Sequence, residues 1–323
     1  MRHVVDPRWS RRMFARNTSQ ALISLVITLG MIGCGFTATF DPQKVNAAEL
    51  FNTAQEAASK GKWTEARTAL KQIEQYFPGS REFPKAKLLM ADSFFFDNSP
   101  SYPEAQVEYE SFLNYFPRSE SKDYVLYQIA LCQYASIESA ERDQAPTQKA
   151  IKSFERLIAE APGSVYTSDA RSKINQCNRR LAEHELMVGL LYLNTYHFSG
   201  AERRLKMMLE RYADYADLER AYYYLAEALR QKAPTPLEIE AYQKEQLSNL
   251  GKETWDDVPQ SDQEQSIKAL GDWIGQQREA YIKESKTYYQ KLTESYPNSD
   301  WGRKAKDRLI ELGTSITKLE LDS

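Results

Sequence analysis

With 323 residues, 42% of them apolar and 27% charged, the chain has the composition of a soluble globular protein; thirteen Gly and thirteen Pro are too few for a disordered or collagen-like one. The formal net charge of −3 hides a split, because residues 1–33 carry five Arg against one Asp and the remainder therefore holds −7. Without a basic surplus to engage phosphates, nucleic-acid binding is excluded as a principal role.

Residues 1–33 read as an export signal. Arg2, Arg8, Arg11, Arg12 and Arg16 precede a charge-free apolar run from Ala21 to Gly33, the basic and apolar regions of a bacterial leader. That run is about half of the ~20 residues a spanning helix needs, so no permanent span is expected. It ends in Met31-Ile32-Gly33-Cys34, which resembles the lipobox of bacterial lipoproteins. By that resemblance Cys34 carries a covalent lipid after cleavage, and several acyl chains make the attachment stable. Gly35, in place of an inner-membrane retention Asp, fits onward transport to the outer membrane. Ser10-Arg11-Arg12-Met13-Phe14 also looks like a twin-arginine motif, so the export route stays open. Residues 34–46 form the lipidated linker.

From residue 47 onward the chain carries a recurring sparse pattern. Small residues at Ala66, Ala105, Ala150, Ala201 and Ser285 are followed four positions on by Leu70, Tyr109, Phe154, Leu205 and Tyr289. Three further stand Ile73, Phe112, Leu157, Met208 and Leu292, and five further Pro78, Pro117, Pro162, Ala213 and Pro297. With Leu50, Ala54 and Ala57 upstream, these occupy tetratricopeptide places. The fold predicted is all-α: a right-handed α-solenoid of about five tetratricopeptide-like helix pairs, each burying its apolar face on its neighbours. Residues 47–230 supply repeats one to four and the first helix of the fifth. Gly61 is placed at the first interhelix turn, and repeats two and three have longer turns at Asp97–Pro103 and Glu138–Gln144.

The fifth repeat is split. Residues 231–265, with Pro234, Pro236, Pro259 and the acids Glu253, Asp256 and Asp257, read as an inserted exposed loop. Residues 266–313 then hold a long second helix, with an apolar stripe through Leu270, Ile274, Tyr281 and Tyr288, and a capping helix from Trp301 to Leu312. Asp300 is expected to cap that last helix and Gly313 to close it. The stripe serves either packing against the array or a partner. Residues 314–323 are a tail.

No chemistry emerges from the same reading. His184 and His197 stand thirteen positions apart with no ligand-spaced partners, and no nucleophile-elbow, P-loop or H-E-x-x-H motif occurs. Neither catalytic residues nor a metal nor a cofactor beyond the lipid on Cys34 is expected. Cys132 and Cys177 fit as single buried thiols, although a pairing is not decided by spacing alone.

A lipobox ahead of five such repeats resembles the BamD family, the lipoprotein component of the outer-membrane β-barrel assembly (BAM) complex. Gln55 to Pro78, Tyr124-Val125-Leu126-Tyr127, Arg142-Asp143 and Pro162-Gly163-Ser164-Val165-Tyr166-Thr167 carry the resemblance. It implies a non-enzymatic scaffold on the periplasmic face of the outer membrane, anchored through Cys34. It further implies that the carboxy-terminal repeats hold the periplasmic POTRA region of a BamA-like barrel partner and that the amino-terminal repeats meet unfolded outer-membrane proteins. Phe94, Phe95, Tyr127 and Arg142 are the candidate partner-binding residues. Tyr196 stands where that family turns with Gly, Ala213 where it has Pro, and the insertion has no counterpart. The alternative is another periplasmic repeat lipoprotein, acting in pilus or secretin assembly or in cell-wall coordination.

Overall fold

The computed structural model describes residues 45–249 and 259–313; the leader, Cys34 and the tail lie outside them. From Ala47 the chain forms one unit. Its helices are α1 (Ala47–Ser59), α2 (Trp63–Tyr76), α3 (Phe83–Phe95), α4 (Tyr102–Tyr115), α5 (Lys122–Ala135) and α6 (Ala145–Glu160). They continue as α7 (Thr167–Asn194), α8 (Phe198–Arg211), α9 (Leu218–Lys232), α10 (Pro236–Asn249), α11 (Gln260–Ser295) and α12 (Asp300–Glu311). Among the described residues there is no strand. Each helix from α1 to α9 packs on the next, α9 pairs with α11, and α12 covers the end, which is the predicted solenoid of helix pairs.

The repeat pattern is a burial pattern. The small residues Ala66, Ala105, Ala150, Ala201 and Ser285 have no exposed surface, and the residues four and seven positions on are fully or almost fully buried in every repeat. Burying each such large apolar side chain is worth roughly 1.5–3 kcal/mol relative to leaving it exposed, so the places define a continuous core. The small side chain lets the paired helices approach: in the fifth repeat Ser285 donates its hydroxyl to the carbonyl of Ala226 on α9. In the fourth the small residue of the first helix is Gly189, where an added Cβ would stand 2.9 Å from Leu205 Cγ.

The terminating residues act through the backbone. Each second helix ends two positions before Pro78, Pro117, Pro162, Ala213 or Pro297, and the intervening cap residue donates its N–H to the carbonyl of Ile73, Phe112, Leu157, Met208 or Leu292. Proline supplies no N–H and disfavours helix at the residue before it, so the chain turns there. Gly61 adopts φ +70°, the left-handed conformation that glycine reaches without steric penalty.

Three expectations are corrected. Residues 231–265 are not all loop, because α10 occupies Pro236–Asn249, started by Thr235: its backbone N–H and hydroxyl both reach Glu238 Oε2, while its Oγ1 accepts from the N–H of Glu238. This reciprocal arrangement is a capping box, and Pro236 takes the first helical position, where a missing N–H costs nothing. The long helix starts at Gln260, before the expected residue 266. The last helix is capped by Ser299, whose Oγ accepts from the N–H of Gly302 at 2.9 Å, while Asp300 is its first residue; Gly313 closes it at φ +69°. Besides these, α7 is 28 residues long and serves two repeats. Its Ala170 and Cys177 join the core with α6, and its Leu186 joins that with α8 and α9.

Candidate interaction surfaces

At the edge of the first two repeats three consecutive phenylalanines end α3 and begin its turn. Phe94 lies under the Arg67 guanidinium, 4.9 Å from ring centre to Cζ. Arg67 is held there by donating to Asp97 Oδ2 at 2.9 Å and to the Ser93 carbonyl at 2.8 Å. Phe95 meets Phe96 and Tyr102 edge-on, at 4.9 and 5.4 Å. Both predicted rings are thus half-buried packing elements. Phe96, which the sequence reading did not single out, is the exposed member, with half of its surface open to solvent.

Tyr127, on α5, stacks on Tyr166 with ring centres 4.6 Å apart and donates its hydroxyl to Asp169 Oδ2 at 2.7 Å. Burial first, and then the Asp169 carboxylate, push this phenol above its ordinary range. Tyr127 therefore braces α5 against the start of α7 while one side of the pair faces outward. Arg142 stands exposed on the α5–α6 connector, 3.9 Å from Glu138. The connector itself is pinned from within. Gln144 is buried and donates to the carbonyls of Ser139 and Arg142, and His184 Nδ1 lies 2.6 Å from the Ala140 carbonyl. A carbonyl only accepts, so Nδ1 carries the proton and His184 acts as a clamp. Phe94 with Phe95 and Tyr127 belong to two different packing clusters. The four candidate residues thus mark successive stations along the array.

Between the third and fourth repeats lies a groove of about 560 Å³ with an apolar floor of Ile158, Ala159 and Ile174 and charged walls at Glu155 and Arg171. Tyr215 closes one end by donating to Asn175 Oδ1 at 3.3 Å. An apolar floor between opposite charges suits an extended or helical peptide segment.

Charged side chains fix the repeats relative to one another. Lys87 on α3, only 4% exposed, donates to Glu74 of α2 at 3.1 Å and Glu108 of α4 at 2.8 Å. Burial alone would depress its ammonium, but these two partners outweigh that and hold it above the ordinary lysine value. Asp92 of α3 accepts from Tyr109 of α4 at 2.6 Å and Tyr124 of α5 at 2.8 Å. Burial raises its carboxyl despite those bonds. Such buried groups impose a defined geometry on the neighbours that satisfy them.

Cys132 and Cys177 are free and buried, and burial pushes their thiols up to about 12 and about 11, away from the reactive thiolate. Among the described residues no group of three or more His, Cys, Asp or Glu side chains is placed to hold a metal ion, and no helix is long and apolar enough to cross a membrane.

The stacked repeats match a family model described as an outer membrane lipoprotein, YfiO, over residues 43–246. An outer membrane protein assembly factor BamD from Caulobacter vibrioides is 26% identical over 222 residues, covering 67% of this chain and 72% of that protein. Proteins of the same name from Rickettsia prowazekii and Haemophilus influenzae are 29% and 24% identical, covering 64% and 68% of this chain and 82% and 86% of theirs. The matched span takes in α1 to α9 and most of α10, the whole regular part of the solenoid, and the chain belongs to the YfiO family of outer membrane lipoproteins.

Proposed function

We propose that the chain is a non-enzymatic scaffold of the BAM complex, which helps to fold and insert outer-membrane proteins from the periplasmic face of the outer membrane. Cys34, outside the described residues, is the proposed lipid attachment. The observation that carries this reading is that the family match spans the repeat core described above, in a chain whose relatives are named outer membrane protein assembly factors. A solenoid suits the task physically, because successive repeats offer separate grooves and edges to different partners without any bond being made or broken. In this reading the carboxy-terminal repeats hold the POTRA region of a BamA-like barrel protein. The amino-terminal repeats, with Phe96 beside Phe94 and Phe95, meet unfolded outer-membrane polypeptides through exposed aromatic surface. Tyr127 and Arg142 mark the stations between them.

The test is co-purification of the tagged, membrane-anchored protein from detergent-solubilised envelopes of its own host. A BamA-like barrel protein in the eluate is the expected result. Secretin subunits or cell-wall enzymes in its place would contradict the reading and favour the other class of periplasmic repeat lipoprotein.

A further inference from the structure

Around the end of the matched family span the chain does something that a capped solenoid does not require. The second half of α11, from Tyr281, supplies Ser285, Tyr289 and Leu292 to the repeat core. Its first half, Gln260–Ala280, buries only Gln263 and Gly271, and α10 buries no residue at all. These two segments pair with each other: α10 lies so close to α11 that a Cβ on Gly271 would stand 1.6 Å from Gln243 Nε2. The product is a helical hairpin that the array does not cover.

Its surface is apolar and acidic together. Leu237 is 75% exposed, Trp273 55%, Leu247 45% and Leu270 39%, which is unusual density for side chains whose burial is each worth roughly 1.5–3 kcal/mol. Between the two helices runs a groove of about 550 Å³ lined by Leu247 and Ile267, by Gln243 and Gln260, and by the oppositely charged Glu264 and Lys268. Over the described residues of 236–280 there are seven exposed carboxylates and three cationic side chains, a surplus of four negative charges. That surplus selects the occupant. A second copy of the hairpin would bring like charges together, and an anionic bilayer would be repelled. An approaching helix with an apolar stripe and Lys or Arg along its flanks would fill the groove and offset the negative surplus of the arm around it.

We propose that the α10–α11 hairpin is a docking arm for a basic, amphipathic helical segment of a partner protein. The matched family span ends within α10, at residue 246, so of the two helices of the arm only α11 lies past it. The proposal stands independently of the assembly reading, since the arm leaves the repeat surfaces untouched.

The test places a photo-crosslinking phenylalanine derivative at Trp273, and separately at Leu237, in the full-length anchored protein in its host, and sequences the crosslinked peptides. The expected product is a protein segment with net positive charge whose apolar residues recur at helical spacing. Replacing Glu240, Glu264 and Asp272 together by Lys lowers its yield by about tenfold, as loss of charge complementarity requires. If the charge-reversed protein does not fold, the pair Trp273→Ser and Leu270→Ser, probed from Leu237, must show the same loss without a change of charge. Crosslinks to lipid only, to a second copy, or to a segment lacking the basic amphipathic pattern would overturn the proposal. So would an undiminished yield in either variant, or no crosslink at all.

Discussion

Tyr289 of α11 donates its hydroxyl to Glu227 Oε1 of α9 across 2.6 Å, and both side chains are buried. Arg308 of α12 reaches the same oxygen at 2.7 Å, and Arg230 takes the other oxygen at 2.7 Å, so one carboxylate ties the end of the solenoid together. The second repeat repeats the device with Tyr109 and Asp92. Asp92 and Glu227 each follow the small residue of their first helix, Ala91 and Ala226. Where that helix has Gln55, Leu131 or Leu190 instead, the facing residue is Leu70, Phe154 or Leu205, with no hydroxyl to satisfy. A buried phenol at this place therefore comes with its own acceptor, as the cost of an unpaired buried hydroxyl requires.

Tyr289→Phe removes one hydrogen bond to a charged group and is expected to destabilise the last repeat by about 1.5–3 kcal/mol. Glu227→Ala is expected to cost more, about 3 kcal/mol or above, because Arg230 and Tyr289 lose their acceptor and Arg308 keeps only Glu311. Since repeats couple chiefly to neighbours, the loss should be local. Hydrogen exchange should accelerate in α9, the second half of α11 and α12, while α1–α6 keep their protection.

Acid should act on the same site. Burial alone would raise the Glu227 carboxyl, but hydrogen bonds from Arg230 and Tyr289 overcome it and hold it below its ordinary value of 4.5. A carboxyl depressed in the folded state contributes stability above the unfolded value, and loses it as pH falls through the folded one. The stability gap between the parent and Glu227→Gln, measured by thermal unfolding, should therefore be full at pH 7 and shrink below about pH 4.5. Asp92, raised by burial, shifts stability in the opposite sense, so the comparison must be made against the variant and not from the parent curve alone.

Tyr196 turns the fourth repeat at φ +61° with its ring 79% exposed, where glycine would be unstrained. Tyr196→Gly and Tyr196→Ala both delete the ring and its contact with Phe198. Only the glycine relieves the backbone, so it should be the more stable of the two by about 1 kcal/mol in denaturant titration.

Ala213 occupies the position that is proline in the other four repeats, two residues past the end of α8. Ala213→Pro is expected to raise stability by about 0.4–1 kcal/mol through the unfolded chain, read from the urea midpoint at unchanged slope.

Most of the solenoid was legible because its core residues recur at places set by helix geometry, and all five small residues of the pattern are fully buried. The hairpin was not, for a physical reason: α10 buries nothing, so it offers no apolar stripe to read, and its prolines look like breakers. Its one local signal was Thr235-Pro236-Leu237-Glu238, a capping box with proline at the first helical position. The length of α7 was hidden because the repeat places cover only its second half. Phe94 and Phe95 were legible as aromatic, but only the point where α3 ends shows that Phe96 is the ring left facing solvent. Tyr127 likewise needed Tyr166 and Asp169 from a different helix before its bracing role could be seen.

Assembly of outer-membrane barrels by an anchored scaffold is tested by depleting the protein in its own host and following one abundant barrel protein. The measurement is the fraction of that barrel which migrates as the folded form in unheated gels. This fraction is expected to fall on depletion, to be restored by the parent chain, and not to be restored by a Cys34→Ser chain that leaves the outer-membrane fraction. Barrel folding that continues undiminished after the protein is gone would contradict it.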